Sequence, residues 1–324
     1  MSTLQWIDAR SVEEAVALLA TPGAHGATIA KAGGLDLLDL MKEGIVAPAR
    51  VVNLQRIDAL RGIQFTESAG LRLGALTTLA EIASDTAIGR NYPALAAAAA
   101  HAATPQIRNA ATIGGNLLQR PRCWYFRNQQ FHDAREEAGR DQSQYGAIFD
   151  NAKSTMVHAS TPATALLAYG ASVHVTGKQG RTRAIALGDF LLPPDFDRDR
   201  DTTLASEEVL THVSVPAVAA HTSAAYHKQT ERDSYDWPIC DVAVVLTTTD
   251  RKVAAAKIVA GAVAPVPRRL TAGEALLLGR EIDERLAAES ARLAVRDATP
   301  TERNGYKVQV LETIVRRTIM GAMR

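Results

Sequence analysis

The sequence predicts an α+β fold divided into three units, and three observations carry that reading. At 324 residues the chain exceeds the roughly 250–300 at which one hydrophobic core stops growing. Helix-period and strand-period segments are interleaved through residues 1–58 and 59–218, which argues against an all-α or all-β protein. Residues 219–324 read instead as a block of strands followed by a block of helices, the order of a further α+β domain.

Ser11 and Glu14 have capping-box spacing, and Val12, Ala15, Leu18 and Leu19 repeat at helical period, so a first helix starts there and ends by Gly23. Residues 27–30 form a short buried strand, 31–34 a glycine turn, and 35–43 an amphipathic helix stopped by Gly44. Strands are expected at 50–54, 60–66 and 71–76, the last two flanking a turn over 67–70. Thr77 or Thr78 caps a helix through Ile82, and Pro93 opens an alanine-rich helix to Ala103. A second glycine turn occupies 111–116. Residues 117–160 show no sustained period, and so long a loop inside a compact domain is usually functional or mobile. Alternation returns at 171–177 and 181–187, and 208–216 closes the second unit as a strand. Strands at 224–230, 242–249 and 252–263 then precede helices near 270–278, 282–295 and 305–320.

Hydrophobic residues make up 47% and charged residues 22%, spread along the chain, which describes a globular protein without a long disordered arm. The net charge of +1, with no block of like charge, removes the electrostatic footprint of a nucleic-acid or membrane-surface binder, so neither partner is expected. No stretch reaches about 18 uninterrupted apolar residues, and the N-terminus lacks a basic region followed by an apolar core. Membrane insertion is not expected, nor an export signal of the chain's own. Cys123 and Cys240 stand far apart, so neither a disulfide framework nor an internal zinc or iron–sulfur site is expected. A cytoplasmic chain is the simplest expectation, or a periplasmic one if a partner carries the signal.

Two glycine pairs, Gly33-Gly34 and Gly114-Gly115, sit where extended segments turn. Glycine lets backbone N–H groups approach an anion, so the two turns read as two phosphate nests, though either alone is equally an ordinary turn. The helix after Gly34 adds the attraction of its N-terminus for negative charge. Neither site has the spacing of a nicotinamide-type dinucleotide fold, and Lys31 precedes its glycines instead of following them as in a Walker loop. Asp195, Asp197 and Asp199 imitate a calcium loop, but Arg200 stands at the turn-glycine position and Ser206 at the bidentate-glutamate position, so that site is discarded. No Ser/His/Asp or Cys/His constellation is found, and no catalytic residue or metal ligand is assigned.

The run from Ile29 to Asp36, and the longer run from Thr104 to Asn116, resemble the FAD-binding subunit of the xanthine dehydrogenase and aldehyde oxidoreductase family of molybdenum hydroxylases. The resemblance continues through Leu187–Leu192, Glu208–Pro216, Arg232–Val244 and Asn304–Lys307, and so spans nearly the whole chain. It implies a two-lobed FAD-binding fold of the vanillyl-alcohol-oxidase type, lobes 1–58 and 59–218, followed by a C-terminal α+β domain with a small antiparallel sheet. The two glycine loops would then close on one FAD. Lys31, Ala32, Gly33, Gly34 and Leu35 form the first by this carry-over, and Thr112, Ile113, Gly114, Gly115 and Asn116 the second. Gln106, Arg108 and Asn109 lie on the approach, with Arg108 suited to neutralise pyrophosphate charge.

Two departures from the family pattern follow. The likeness is strongest to the bacterial periplasmic-type aldehyde oxidoreductase flavin subunit, whose extra loop opens as Arg122–Arg127 does here and carries four cysteines for a four-iron cluster. Only Cys123 is present in this loop, with Val157 about where the last ligand belongs, so no iron–sulfur cluster is expected in this chain. His132 and His158 are read as solvated loop residues, and the aromatic run Trp124-Tyr125-Phe126 as partly packed beneath the loop. Thr164 stands where the family has an aspartate that helps hold the flavin's sugar-like chain. The resemblance implies a relay. A molybdenum-cofactor large subunit oxidises an aldehyde or N-heterocycle, a 2Fe-2S small subunit carries electrons, and FAD here passes them to an external acceptor. The alternatives are a free-standing flavoprotein oxidase or reductase, with His25 or His101 as a tether, and a flavin-less scaffold subunit.

Overall fold

The computed structural model describes residues 4–21, 26–124, 126–128, 144–152, 154–193, 200–233 and 235–323. His25, Tyr125, His132, Asp195, Asp197 and Asp199 lie outside the described residues. The chain opens with β1 (Gln5–Asp8), α1 (Val12–Leu19), β2 (Thr28–Lys31), α2 (Leu37–Lys42) and β3 (Arg50–Asn53). Their strands form a parallel sheet in the order β1-β3-β2, with Gln5 opposite Arg50 and Thr28 opposite the same residue. Ser11 Oγ accepts from the Glu14 amide at 3.1 Å, the cap bond the spacing predicts, while the Glu14 carboxylate accepts not from the Ser11 amide but from that of Arg10, one residue before the cap, at 2.8 Å. β1 was not expected, because four residues running from exposed to half-buried show no two-residue alternation. β2 is half-buried instead of buried, and α2 has six residues instead of nine.

The middle of the chain adds β4 (Ile63–Thr66), β5 (Gly70–Gly74), α3 (Leu79–Ser84), α4 (Thr86–Asn91), α5 (Pro93–Ala100), α6 (Pro105–Ala110) and α7 (Ile113–Leu117). After the long loop come α8 (Thr161–Ala168), β6 (Ser172–Thr176), β7 (Thr182–Ala186), α9 (Leu187–Phe190) and β8 (Val209–Val215). The strands form an antiparallel sheet in the order β4-β5-β8-β6-β7. On β6, Val173 and Val175 are buried and their neighbours half-exposed. The buried face packs with α3, α5 and α8 in one core, each such side chain contributing roughly 1.5–3 kcal/mol. Thr78 and Glu81 complete a reciprocal capping box at α3. α6 and α8 were not expected. Their start signals were there, a capping Thr104 or Ser160 with proline in the first turn. α8 is buried nearly all round, so it carries no apolar stripe for a period search to find.

The last unit contains β9 (Thr222–Gln229), β10 (Cys240–Thr249), β11 (Lys252–Gly261), β12 (Arg268–Arg269), α10 (Thr271–Leu277), α11 (Glu284–Ala294) and α12 (Tyr306–Ala322). Its antiparallel sheet, ordered β12-β11-β10-β9, is covered by the three helices over a second core. Ile148 and Phe149 belong to that core, so the return limb of the long loop is part of the C-terminal unit. Its outgoing limb buries Phe126 while Trp124 stays 76% exposed. His158 is not a solvated loop residue. It is half-buried with Nδ1 accepting from the Ser160 amide at 3.3 Å, and desolvation pushes its imidazole down to about 4. Among the described residues no helix is long and apolar enough to cross a membrane.

Candidate functional site

A cleft of about 790 Å³ opens where the first sheet, α7 and the β9–β10 connection meet. Cofactor sites commonly have roughly 300–1,000 Å³, so the space suits a large ligand. Both glycine elements line it: Lys31, Ala32, Gly33, Gly34 and Leu35 on one side, Thr112, Gly114, Gly115 and Asn116 on the other. A β-carbon at Gly115 would lie 3.8 Å from the Ala32 methyl across the two elements, and one at Gly33 only 2.1 Å from the carbonyl oxygen of Ala110, which ends α6 just before the second element. That close approach, not the freedom of the turn, is what glycine provides at Gly33. Gly34 needs it for a different reason, its φ of +85°.

The two elements differ in what they offer a ligand. Among the described residues, the amides of Ala32, Gly33, Gly34 and Leu35 donate to no acceptor, although the loop is held at its start by the Leu54 amide on the Lys31 carbonyl at 2.9 Å. Four consecutive donors without an acceptor among the described residues are available to an anion. The second pair is no such nest. The Ile113 amide donates to Thr77 O at 2.8 Å and Gly114 to Ala75 O at 2.9 Å. Gly115 donates to Thr112 Oγ1 at 3.2 Å and Asn116 to Thr112 O at 2.8 Å. Gly114 and Gly115 lie in the helical first turn of α7, not in a strand turn. What this side offers is a side chain. Asn116 Oδ1 accepts from Ser160 Oγ at 2.5 Å, which leaves its Nδ2 hydrogens to face the cleft. The six residues of α2 are too few for a strong helix dipole, so the loop amides carry the attraction.

Three expected site residues lie elsewhere. Ile113 is fully buried in the core, because on α7 it faces opposite to Gly115. Arg108 commits its guanidinium to the carbonyls of Ala102 and Ala103, at 3.0 and 2.7 Å, and does not line the cleft. Thr164 is fully buried and faces Asp241: both its Oγ1 and Asp241 Oδ1 would lie 2.2 Å from a β-carbon on Gly261. The cleft position belongs to Thr161, one helical turn earlier, whose hydroxyl donates to Ala98 O at 3.2 Å. Its start signal, Ser160 with Pro162, would have set the helical phase. Of the proposed tethers, His101 is not among the residues lining the cleft.

Lys31 points its ammonium away from the glycines. Its Nζ donates to Asn53 Oδ1 at 3.3 Å and lies 5.4 Å from the centre of the Trp6 ring, while its stem packs beneath Gly34. Burial lowers the Lys31 ammonium from its ordinary range, with Asp8 opposing. At the opposite end, Lys228 Nζ donates to His101 O and Asp236 O at 2.9 and 2.6 Å, and burial likewise lowers it. Sequence reasoning missed Asp36, Gln119, Arg120, Arg122, Lys228 and Trp237, which also line the cleft. The arrangement has no nucleophile beside a base. It has main-chain donors, the side-chain amides of Asn116 and Gln119, charged groups and apolar walls, which suits binding and orientation of a ligand that brings its own chemistry.

Residues 2–218 match the family described as FAD binding domain in molybdopterin dehydrogenase. The chain belongs to this family. Residues 206–322 match the CO dehydrogenase flavoprotein C-terminal domain. This family member is 32% identical to the aldehyde oxidoreductase FAD-binding subunit PaoB of Escherichia coli, over 76% of the chain and 78% of the relative. It is 29% identical to the carbon monoxide dehydrogenase medium chain of Hydrogenophaga pseudoflava, over 97% of the chain and 94% of the relative. A chain in a solved structure of that organism's carbon monoxide dehydrogenase superimposes with a TM-score of 0.78 at 28% identity, covering 99% of this chain and 97% of its own. The α+β architecture, a flavin-domain fold followed by a C-terminal domain with an antiparallel sheet, is that of these structures.

Proposed function

We propose that this chain is the FAD-carrying, electron-transferring subunit of a molybdenum hydroxylase complex. It holds the dinucleotide between its two glycine elements and oxidises no substrate in a site of its own. One observation carries the reading: four consecutive residues whose amides have no acceptor among the described residues line one cleft together with Gly114, Gly115 and Asn116, in a chain of the FAD-binding family. FAD, when bound, exchanges electrons singly or in pairs. The residues of this chain supply the rest. The amides of Ala32–Leu35 are fixed dipoles for the pyrophosphate charge, and their effect grows in a cleft with apolar walls. Gly33 lets α6 and the loop meet, and Asn116 offers a neutral donor to a phosphate or ribityl oxygen.

In this reading the molybdenum cofactor belongs on a large partner subunit and the 2Fe-2S clusters on a small one. Support comes from relatives named as a medium chain of carbon monoxide dehydrogenase and a medium subunit of nicotine 6-hydroxylase. The names of the aldehyde oxidoreductase and nicotine 6-hydroxylase relatives favour aldehyde or N-heterocycle oxidation by the assembled complex. The test is the visible spectrum of the purified chain after incubation with FAD and gel filtration. Flavin bands eluting with the protein near one per chain are expected; a colourless protein overturns the reading. Tagged chain produced in its native host should then co-purify with a molybdenum subunit and an iron–sulfur subunit.

A further inference from the structure

We propose that Arg127 is a positioning residue for the first glycine loop, acting through Asp36, and that it keeps the four loop amides aimed into the cleft. The proposal rests on the FAD reading above. Asp36 directly follows Leu35, the last of those amides, and stands at the N-cap of α2. Yet its carboxylate makes no cap bond there. Oδ2 accepts from the Arg120 amide at 3.0 Å, and Oδ1 accepts from Arg127 Nη2 at 2.6 Å and Arg122 Nη2 at 2.9 Å.

Arg127 organises all three donors. Its Nε donates to Pro121 O at 2.8 Å and its Nη2 also to Arg120 O at 2.9 Å, which ties Arg127 to the backbone at the Arg120 and Pro121 carbonyls and so holds the Arg120 amide and Arg122 beside Asp36. Its Nη1 reaches Asp39 on α2 at 3.2 Å. The guanidinium is therefore used on every edge, and it rests on the buried Phe126 ring, 5.7 Å from the centroid. Its side chain is only 12% exposed, which spares it the solvent screening that makes most surface ion pairs weak. A lysine cannot reproduce that fork.

The charges of the cluster identify its task as geometric. Arg120, Arg122 and Arg127 are matched by Asp36, Asp39 and Asp201, with Arg120 paired to Asp201. Among these six groups the net charge is zero, so the cluster adds little long-range attraction for an anion. What it adds is a fixed far end for the loop, whose near end is fixed by the Leu54 amide. With both ends held, the amides between them are ordered before the ligand arrives.

The experiment is a titration of the flavin-free full chain with FAD, followed by quenching of flavin fluorescence, at a temperature where circular dichroism shows each variant folded. Arg127→Gln and Asp36→Asn should each weaken binding roughly 10- to 100-fold, the change expected from re-ordering one or two loop residues on binding. The double variant should bind no more weakly than the weaker single one, because both break the same linkage. Arg127→Lys should fail to restore affinity. If Arg127→Gln does not fold, Asp36→Asn and Arg127→Lys carry the test. Variants that bind FAD within twofold of the wild type overturn the proposal and leave the cofactor reading intact. Additive losses, or rescue by lysine, also overturn it, since they assign charge and not linkage. A wild-type chain that binds no FAD overturns the cofactor reading and the proposal with it.

Discussion

The contact of the first glycine loop with the end of α6, just before the second glycine element, gives the sharpest prediction. At Gly33 an added β-carbon would sit 2.1 Å from the Ala110 carbonyl oxygen and 3.1 Å from its carbon, both backbone atoms that no side-chain rotation can move. An ordinary carbon–oxygen contact is about 3.3 Å, so Gly33→Ala must push the elements apart by roughly 1.2 Å. The backbone of Gly33 is not left-handed, so the effect comes from this collision and not from conformational strain. A misplacement of about 1 Å in a preorganised site costs on the order of 100-fold, or about 2.7 kcal/mol. FAD affinity should fall by that factor, and overpacking should lower stability by about 1–3 kcal/mol. Fluorescence titration of the flavin-free chain measures the first and thermal unfolding the second. Gly62→Ala is the control. Gly62 has φ +92° with nothing within 4 Å of an added β-carbon, so it should lose stability through strain and keep its affinity. If Gly33→Ala binds FAD as tightly as the wild type, the two elements do not grip one ligand and the geometric argument fails.

Two further predictions concern the C-terminal unit. Lys307 is fully buried and its ammonium donates to the carbonyls of Tyr145, Gly146 and Ala262 at 2.9, 2.8 and 2.8 Å; Lys307→Met should cost about 3 kcal/mol or more in urea unfolding by stranding three acceptors, and a loss below about 1 kcal/mol counts against this anchoring of the long loop. Asp241 is buried beneath Tyr226, whose hydroxyl donates to Oδ2 at 3.0 Å, and desolvation pushes its carboxyl up to about 7. The folded chain therefore holds a proton that the unfolded chain releases above its ordinary value of 3.8, so the stabilisation is present at low pH and lost as pH rises toward 7. Relative to Asp241→Asn, the wild type should lose on the order of 4 kcal/mol between pH 4 and pH 7 in chemical denaturation. An unchanged difference across that range removes the assignment.

The sequence by itself determined whatever is decided within a few residues along the chain. The Ser11 cap, the helix start at Thr77 or Thr78, the alternation of β6 and the two glycine elements were legible because capping and period are local. The order of motifs also pointed to the family, to which the chain belongs. Tertiary structure decided what each glycine element has to offer. Among the described residues the first loop's amides have no acceptor, whereas in the second Gly115 and Asn116 donate to Thr112 close by in sequence and Ile113 and Gly114 donate to Thr77 and Ala75, carbonyls that only the folded chain brings beneath α7. It likewise gave the cleft to Thr161 instead of Thr164, because helical phase selects which threonine faces it, and turned Arg108 back onto its own turn. Asp36 and Arg127 stand 91 positions apart, and no local pattern announces that they meet. A hydrogen-bond donor is free or spent according to where distant acceptors lie, and that is settled only when the chain has closed on itself.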